Sequence, residues 1–286
     1  MTKVDEDDEY METQERTEDD DIDKWIPNHL RKYIQAYREE YCYTFIYHYK
    51  LLASVMVEGF LPFAVENVIM PKLHYERCVV SLPEAMHVTK NSKKRSKKFR
   101  FTTNQCFDRV VEGCWKKWGS DCWLYPELVK LWKQIMDAGE VYSIVDTPSR
   151  TVQNAPKAPV RFYSIEVWNE ETGELAGGEL GYTVGSIYTS ITGFNTENNA
   201  GSVQLSSLGR LLCTLGFTLW DLGMGMDYKK SLGSHLMKRK AFVAQVHDLR
   251  IRHGHLRLPI TDAKGFNCRD LIDQSLSIET LFAGEK

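Results

Sequence analysis

The chain lacks most of the short patterns by which a sequence announces its chemistry. It has no CxxC pair and no GxGxxG or GxxxxGKS/T phosphate loop. No apolar run reaches the roughly 20 residues that a membrane helix needs, and no signal peptide opens it. Its seven cysteines (Cys42, Cys78, Cys106, Cys114, Cys122, Cys213, Cys268) are scattered and odd in number. Neither a disulfide framework nor a zinc site is therefore indicated, and a reducing, cytoplasmic setting fits. Among eight histidines the one close pair is His253-x-His255, too little for a metal centre. No Ser-His-Asp or Cys-His arrangement stands out. The expectation is a protein without metal, cofactor or membrane attachment, and without DNA as a partner.

What the chain does have is uneven charge. Residues 1–23 hold 12 of the 39 acidic side chains and 2 of the 36 basic ones, which leaves residues 24–286 with a net charge of +7. A segment so acidic and so poor in apolar residues cannot offset its ordering entropy, so a disordered tail is expected at 1–23. It serves solubility, or it competes with nucleic acid for the basic body. Seven cations crowd into eleven residues at Lys90, Lys93, Lys94, Arg95, Lys97, Lys98 and Arg100. Such a run contacts phosphates without reading sequence, or is a solvated loop or a localisation signal. A smaller cluster stands at Lys238, Arg239 and Lys240.

Hydrophobic spacing outlines the rest. Pro27 opens a helix with Leu30, Tyr33, Ile34 and Tyr37 on one face. A strand-like YCYTFIYHY follows, then a helix through Leu51, Leu52, Val55 and Met56 that ends near Gly59. Asn104 is placed to cap a helix carrying Phe107, Val110, Val111, Cys114 and Trp118. Pro126 and Gly139 bracket another with Leu128, Leu131, Trp132 and Ile135. Residues 146–161 hold three prolines and read as an inserted surface loop. Strands are expected at 161–168, 174–180 and 182–189, a helix at 202–215, a strand at 217–222 and a basic helix at 239–250. This pattern makes the fold class mixed α/β (α+β). The expected division is a tail at 1–23, an N-terminal domain at 24–120, a second domain at 121–250 and an appendage at 251–286.

From about Glu58 to Arg250 the punctuation is more telling. GFLPF (59–63) resembles a Gly-Ile-Phe-Pro-Trp-Phe segment. Met86-His87-Val88, the basic run and a helix bearing EGC follow, and Trp123 falls at the Trp of a Thr-Trp-Ile element. SIEVW (164–168), Leu175-Ala176-Gly177-Gly178, Gly181, Gly185, Asn199-Ala200 and Ser231-Leu232-Gly233 keep the same order. The ordered set resembles the leucyl/phenylalanyl-tRNA–protein transferases, which move an amino acid from tRNA onto a protein N-terminus. The resemblance implies a GCN5-related N-acyltransferase-like fold, aminoacyl-tRNA as donor and protein N-termini as acceptors. It also exposes departures. Ile191 stands where the family has a Glu for a basic acceptor, Gly223 where it has a Gln, and Asp227-Tyr228 where it has Asp-His. The family's Gly-Gly-Asp-Leu element upstream of GFLPF is absent.

The implied reaction is attack of an α-amine on an aminoacyl ester. The resemblance makes Asp221, at the end of FTLWD, the catalytic candidate, either orienting a donor or accepting the amine's proton. It assigns tRNA to Lys90, Lys93, Lys94, Arg95, Lys97, Lys98, Arg239 and Lys240. Trp123, with Phe63, would stack on the terminal adenine; both are equally suited to core packing. Ile187, Phe194, Leu205, Leu208 and Leu219 are the aminoacyl-pocket candidates and ordinary core residues by spacing. Gly223, Ile191 and Glu179 mark the acceptor site, with Glu197 as a further acid. The expected function is transfer of Leu or Phe to protein N-termini, marking them for degradation. The alternatives are a degenerate binder of tRNA or N-terminal peptides, or an N-acyltransferase with another donor. The segment NTENNAGS, with its single Gly, disfavours coenzyme A.

Overall fold

The computed structural model describes residues 39–145 and 156–285. The expected tail at 1–23, the helix opening at Pro27 and the 146–155 part of the expected loop lie outside them. Helix α1 (Tyr49–Val57) and a small hairpin of β1 (Ala64–Val65) and β2 (Val68–Ile69) come first. Strands β3 (Glu76–Ser81) and β4 (Phe99–Thr103) are separated by α2 (Lys90–Arg95) and a 3-10 turn at Ser96–Lys98. Helices α3 (Phe107–Trp118) and α4 (Pro126–Asp137) lead to β5 (Val141–Ile144). Strands β6 (Lys157–Asn169), β7 (Leu175–Val184) and β8 (Ile187–Asn195) form an antiparallel centre. Helix α5 (Ala200–Leu215) then crosses to β9 (Leu219–Asp221). After it come α6 (Asp227–Lys230), β10 (His235–Lys238), α7 (Arg239–Leu249), β11 (Phe266–Asn267), α8 (Cys268–Asp273) and α9 (Ile278–Phe282).

The large sheet runs β10-β3-β9-β8-β7-β6-β4-β11, with β5 also on β6. Every pair is antiparallel except β8 with β9. The mixed α/β class expected from the sequence is thus observed. Strands β3 and β4 come from 24–120, β6 to β9 from 121–250 and β11 from 251–286; all belong to one sheet.

Helices cover both faces. On one, α1, α3, α4 and α7 supply Met56, Val110, Trp132 and Phe242 to a core with Phe162 and Leu180. On the other, α5, α8 and α9 supply Leu208, Leu211, Leu271 and Leu281 to a core with Tyr188 and Trp220. Burial of each such side chain stabilises by about 1.5–3 kcal/mol. Strand β7 is buried at all ten positions, as a central strand between two helical layers must be. Helix α3 lies so close to β8 that a Cβ on Gly113 would stand 2.4 Å from the Phe194 ring and would force that ring to move.

Several local expectations need correction. YCYTFIYHY makes only isolated bridges, Tyr41 with Lys72 and Thr44 with Ile69, because the hairpin beside it is too short to template a strand. Asn104 does not cap a helix. It sits at φ 56° and its Oδ1 accepts from Ser164 N at 2.8 Å, which closes the β4–β6 ladder. Residues 157–161 are strand, not loop; they pair with β5 and β7.

The cap that Asn104 does not supply comes from Glu166 of β6. Its buried carboxylate accepts from Gln105 N (3.1 Å), Cys106 N (3.2 Å), Ser164 Oγ (2.6 Å) and Thr102 Oγ1 (2.7 Å). A carboxylate beside the first turn of α3 satisfies donors a helix start leaves open and complements its dipole. Trp168 Nε1 joins at 2.7 Å to Thr102 Oγ1, so the SIEVW segment is a structural hub. Replacing Glu166 by Ala leaves these donors buried without an acceptor and is expected to lower stability by on the order of 3 kcal/mol. Urea unfolding checks this; a loss below about 1 kcal/mol would remove Glu166 from that role.

Candidate active site

The parallel pair β8–β9 is short. Ile187, Tyr188 and Thr189 lie opposite Leu219, Trp220 and Asp221, and there the pairing stops. Strand β8 continues to Asn195 with β7 on its other side only. The chain beyond Asp221 is drawn the opposite way: Cys78 N donates to Gly223 O at 2.8 Å and Leu222 N to Cys78 O at 2.9 Å, on β3. The two strands therefore part, and Ser190 to Gly193 form a half-buried edge beside the gap. The β7–β8 register shifts here, with Leu180 opposite Thr192 and Gly181 opposite Ser190. Ile191 is the residue left over, a bulge at the mouth of the gap. Bulges re-aim a strand and collect beside active sites.

Asp221 ends β9 at this point and is 1 % exposed. Its Oδ1 and Oδ2 accept from Arg77 Nε at 3.0 and 3.1 Å, and Arg77 is as buried as its partner. Thr189 Oγ1 donates to Oδ2 at 3.2 Å and Gly223 N to Oδ1 at 2.9 Å. A carboxylate so enclosed orients the donors around it. Arg77 spends its remaining donors inward, on Gly59 O at 2.6 Å and His74 Nδ1 at 3.0 Å, and stacks over Phe242. Burial, then the charges of Arg77, Lys72, Lys229 and Arg239, push His74 down to about 3, so it stays neutral and accepts.

The GFLPF segment runs from this ion pair to the aromatic side of the site. Gly59 accepts from Arg77, and Leu61 packs 3.6 Å from where a Cβ on Gly223 would stand. Phe63 meets Trp123 with ring centroids 4.9 Å apart. Four residue steps separate Gly59 from Phe63, at most about 14 Å of chain. Asp221 and Trp123 thus lie on one face of the sheet, linked by one short segment. Trp123 rests edge-on against Trp132 at 5.8 Å, and both it and Phe63 are half-buried.

The opposite face of the gap carries a second buried carboxylate. Glu179 accepts from Tyr188 Oη (2.9 Å), Ser190 Oγ (2.9 Å) and Gln204 Nε2 (2.7 Å). Ser190 Oγ in turn accepts from Trp220 Nε1 at 3.0 Å. Burial raises the Glu179 pKa, outweighing the hydrogen bonds that lower it. Lys229 lies nearby, its ammonium donating to Leu222 O at 2.6 Å and Met224 O at 2.7 Å; burial lowers its pKa. It fixes the loop that leaves Asp221.

The structure therefore divides the sequence-predicted site. Ile187, Phe194 and Leu219 belong to the core on the Asp221 face, whereas Leu208 and the half-buried Leu205 belong to the α5 face. The sheet separates them, so the five do not line one pocket. Glu179 likewise faces α5, while Gly223 and the bulged Ile191 flank the gap. Glu197 is held by Asn169 Nδ2 at 3.1 and 2.9 Å. Lys90, Lys93, Lys94, Arg95, Lys97 and Lys98 are exposed on α2 and the following turn, on the α5 face, whereas Trp123 is on the other. Arg239 is not a free cation: it donates to His74 O and Leu73 O and stacks on Tyr75. Lys240 is exposed beside β10. Six strand spacings, roughly 29 Å, separate β10 from β4, so the two basic clusters are not one surface. Among the described residues no group of three His, Cys, Asp or Glu is arranged to hold a metal, and no helix is long and apolar enough to cross a membrane. Arg77 and Lys229 are the residues that sequence reasoning missed. Their one signal is a cation set among apolar strand and loop positions.

The family model described as leucyl/phenylalanyl-tRNA protein transferase matches residues 80–150 and 157–247. A leucyl/phenylalanyl-tRNA–protein transferase of Erwinia tasmaniensis is 26% identical over 175 residues, covering 60% of this chain and 66% of its own length. One of Shewanella woodyi is 27% identical over 199 residues, 68% and 74% of the two chains. One of Maridesulfovibrio salexigens is 26% identical over 179 residues, 61% and 65%. The chain thus spans slightly under two thirds of the Erwinia and Maridesulfovibrio proteins.

Two outcomes follow from the buried charges. Arg77→Met strands Asp221 and should cost about 3–5 kcal/mol, and the double change Arg77→Met with Asp221→Leu should recover much of it. Urea midpoints of the three variants measure the coupling; simple additivity would show that the pair is not a unit. For Glu179 the sign runs the other way from a salt-bridged acid. Its folded pKa is raised, so the native state keeps a proton that the unfolded chain releases near 4.5, and stability falls as pH rises from there through the folded pKa. Glu179→Gln should therefore gain on the wild type in melting temperature from pH 4.5 to 8. A difference independent of pH would rule this out.

Proposed function

Because the chain belongs to the leucyl/phenylalanyl-tRNA–protein transferase family, we propose that it is an aminoacyl-tRNA–protein transferase. It moves Leu or Phe from charged tRNA to the N-terminus of an acceptor protein and so marks that protein for degradation. The observation that carries the reading is the GFLPF segment, which ties the Arg77–Asp221 pair, at the point where β8 and β9 part, to the Phe63–Trp123 pair. A GCN5-related acyltransferase fold belongs to the same proposal. It rests on a mainly antiparallel sheet interrupted by one parallel crossover through α5. Seven unpaired cysteines fit the reducing, cytoplasmic setting that goes with it.

The chemistry asks little of side chains. The acceptor's α-amine, with a pKa near 7.7–8.0, is partly neutral at pH 7. Its nitrogen bonds to the ester carbonyl carbon, the bond from that carbon to the tRNA 3′ oxygen breaks, and the amine's proton ends on the released hydroxyl. Holding the two reactants together is worth up to about 7–11 kcal/mol. Phe63 and Trp123 hold the terminal adenosine by stacking. Asp221 acts as a positioning residue: it fixes Gly223 N and, through Arg77, the start of the GFLPF segment. The backbone, rather than the family's Gln, then lines the wall at Gly223. With Ile191 in the bulge, the acceptor's first side chain is neutral.

Purified protein should transfer labelled Leu or Phe from charged tRNA to a peptide with an uncharged N-terminal residue. Trp123→Ala and Phe63→Ala should each raise KM for charged tRNA about 5- to 100-fold, the worth of one stacked base. The kcat should change less. Binding of charged tRNA without transfer to any acceptor in a full panel would replace this reading with that of a non-catalytic binder. Saturable coenzyme A binding would point to another acyl donor.

A further inference from the structure

The last 36 residues lie beyond the family match, which ends at 247, yet they complete a cationic concavity. An open hollow of about 430 Å³ is lined by Lys90, Lys93, Lys94, Lys97 and Arg269. Four of these come from the basic run; the fifth comes from α8 of the appendage. Their placement is not accidental crowding. Arg269 Nη1 donates to Lys93 O at 3.2 Å and Asn267 Nδ2 to Lys97 O at 3.4 Å, so the appendage is bonded to the backbone of the run itself. Asp273 bridges two of these cations, Lys93 Nζ at 2.7 Å and Arg269 Nε at 2.5 Å. Lys90, Lys94 and Lys97 have no ion pair with any described residue.

Like charges this close repel unless an anion is present, so a hollow lined by five cations, two of them bridged by Asp273, is short of negative charge. Among the described residues it is lined by lysine and arginine, the side chains that most often contact phosphate oxygens. Its position matters too. Asn91 of α2 donates to Asn199 Oδ1 at 3.0 Å, at the start of α5 and four residues past the end of β8. The helix that carries Lys90, Lys93 and Lys94 is thereby tied to the start of α5, which follows β8.

We infer that the appendage forms part of the RNA site: Arg269 and the basic run together take backbone phosphates of the acceptor stem, with Asp273 as a built-in competitor that those phosphates displace. This rests on the reading of charged tRNA as donor.

The test is binding of an uncharged acceptor-stem RNA duplex to the full chain as a function of salt, beside the transfer assay. Arg269→Glu should weaken binding about tenfold near 0.1 M salt and lower the slope of log K against log salt by about one. Asp273→Asn should do the opposite and tighten binding severalfold, although both variants break the same Arg269–Asp273 bridge. Opposite effects separate electrostatics from damage to α8; two losses of equal size would overturn the inference. So would an unchanged slope in Arg269→Glu while the wild type still transfers from charged tRNA, a result that leaves the donor reading intact. A wild type that neither binds the duplex nor transfers from charged tRNA overturns both.

Discussion

The buried ion pair between Arg77 and Asp221, in which Nε–H is shared by both carboxylate oxygens, governs the rest of the site. It joins β3 to β9 at the place where β9 leaves β8, and it reaches four further pieces of chain. Thr189 brings in β8, Gly223 the departing loop, Gly59 the segment running to Phe63, and Phe242 the helix α7. An ion pair this deep is a poor way to gain stability, because desolvation offsets most of the attraction. Its effect is geometric. A guanidinium with five fixed donors accepts few alternative arrangements. An apolar replacement would let the end of β9 and the GFLPF segment slide; the charge pair pins both to one register. What is bought with an expensive interaction is the position of a backbone wall, not a reactive group.

That wall matters because of how the sheet opens. Three residues of parallel pairing hold β8 and β9 together, and the two chains are then drawn apart by different partners. β7 retains β8, and Cys78 retains the loop after Asp221. The bulge at Ile191 sits where β8 has lost its second neighbour, so the extra residue strains no ladder on that side. Lys229 completes the arrangement from the α5 face by gathering two carbonyls of the loop. Its burial is costly for a cation, and the cost is met by hydrogen bonds to dipoles that the loop would otherwise leave open.

Local pattern carried the elements but not their relations. The stripes of Leu128, Leu131, Trp132 and Ile135, and of Val203, Leu208, Leu211 and Leu212, marked α4 and α5 because each helix has one buried face. Alternation failed for the strands. In β7 every residue is buried, so period two no longer distinguishes the two faces. Spacing within α5, β8 and β9 likewise gives no sign that the sheet lies between Leu205 and Leu208 on one side and Ile187, Phe194 and Leu219 on the other. Asp221 was legible as a carboxylate ending an apolar strand, but its partner is 144 residues away and gives no local sign. Asn caps helices, yet the carboxylate that accepts from Gln105 N and Cys106 N ahead of α3, Glu166, comes from β6, and no spacing rule reaches it. The basic run was visible as charge, whereas its complement Arg269 emerged only when the appendage folded back on it.

The same accounting of charge bears on what the site would accept under the proposed reaction. Each carboxylate near the gap is already committed. Asp221 is enclosed by Arg77, Thr189 and Gly223, and Glu179 is buried under three donors with its pKa raised by burial. Asp227 is exposed and bonded to Lys230 at 2.8 Å. The nearest cation, Lys229, adds positive charge beneath the loop. A lysine or arginine at the acceptor's first position would therefore enter a region that already holds Arg77 and Lys229 and would find no free anion. A neutral side chain avoids that cost and meets apolar surface instead, since Met224, Met226, Tyr228 and Leu236 stand exposed along the departing loop and the strand after it. The argument extends to the attacking group: a charged ammonium is disfavoured at the same place for the same reason, so the field of the site itself favours the neutral amine that the reaction needs.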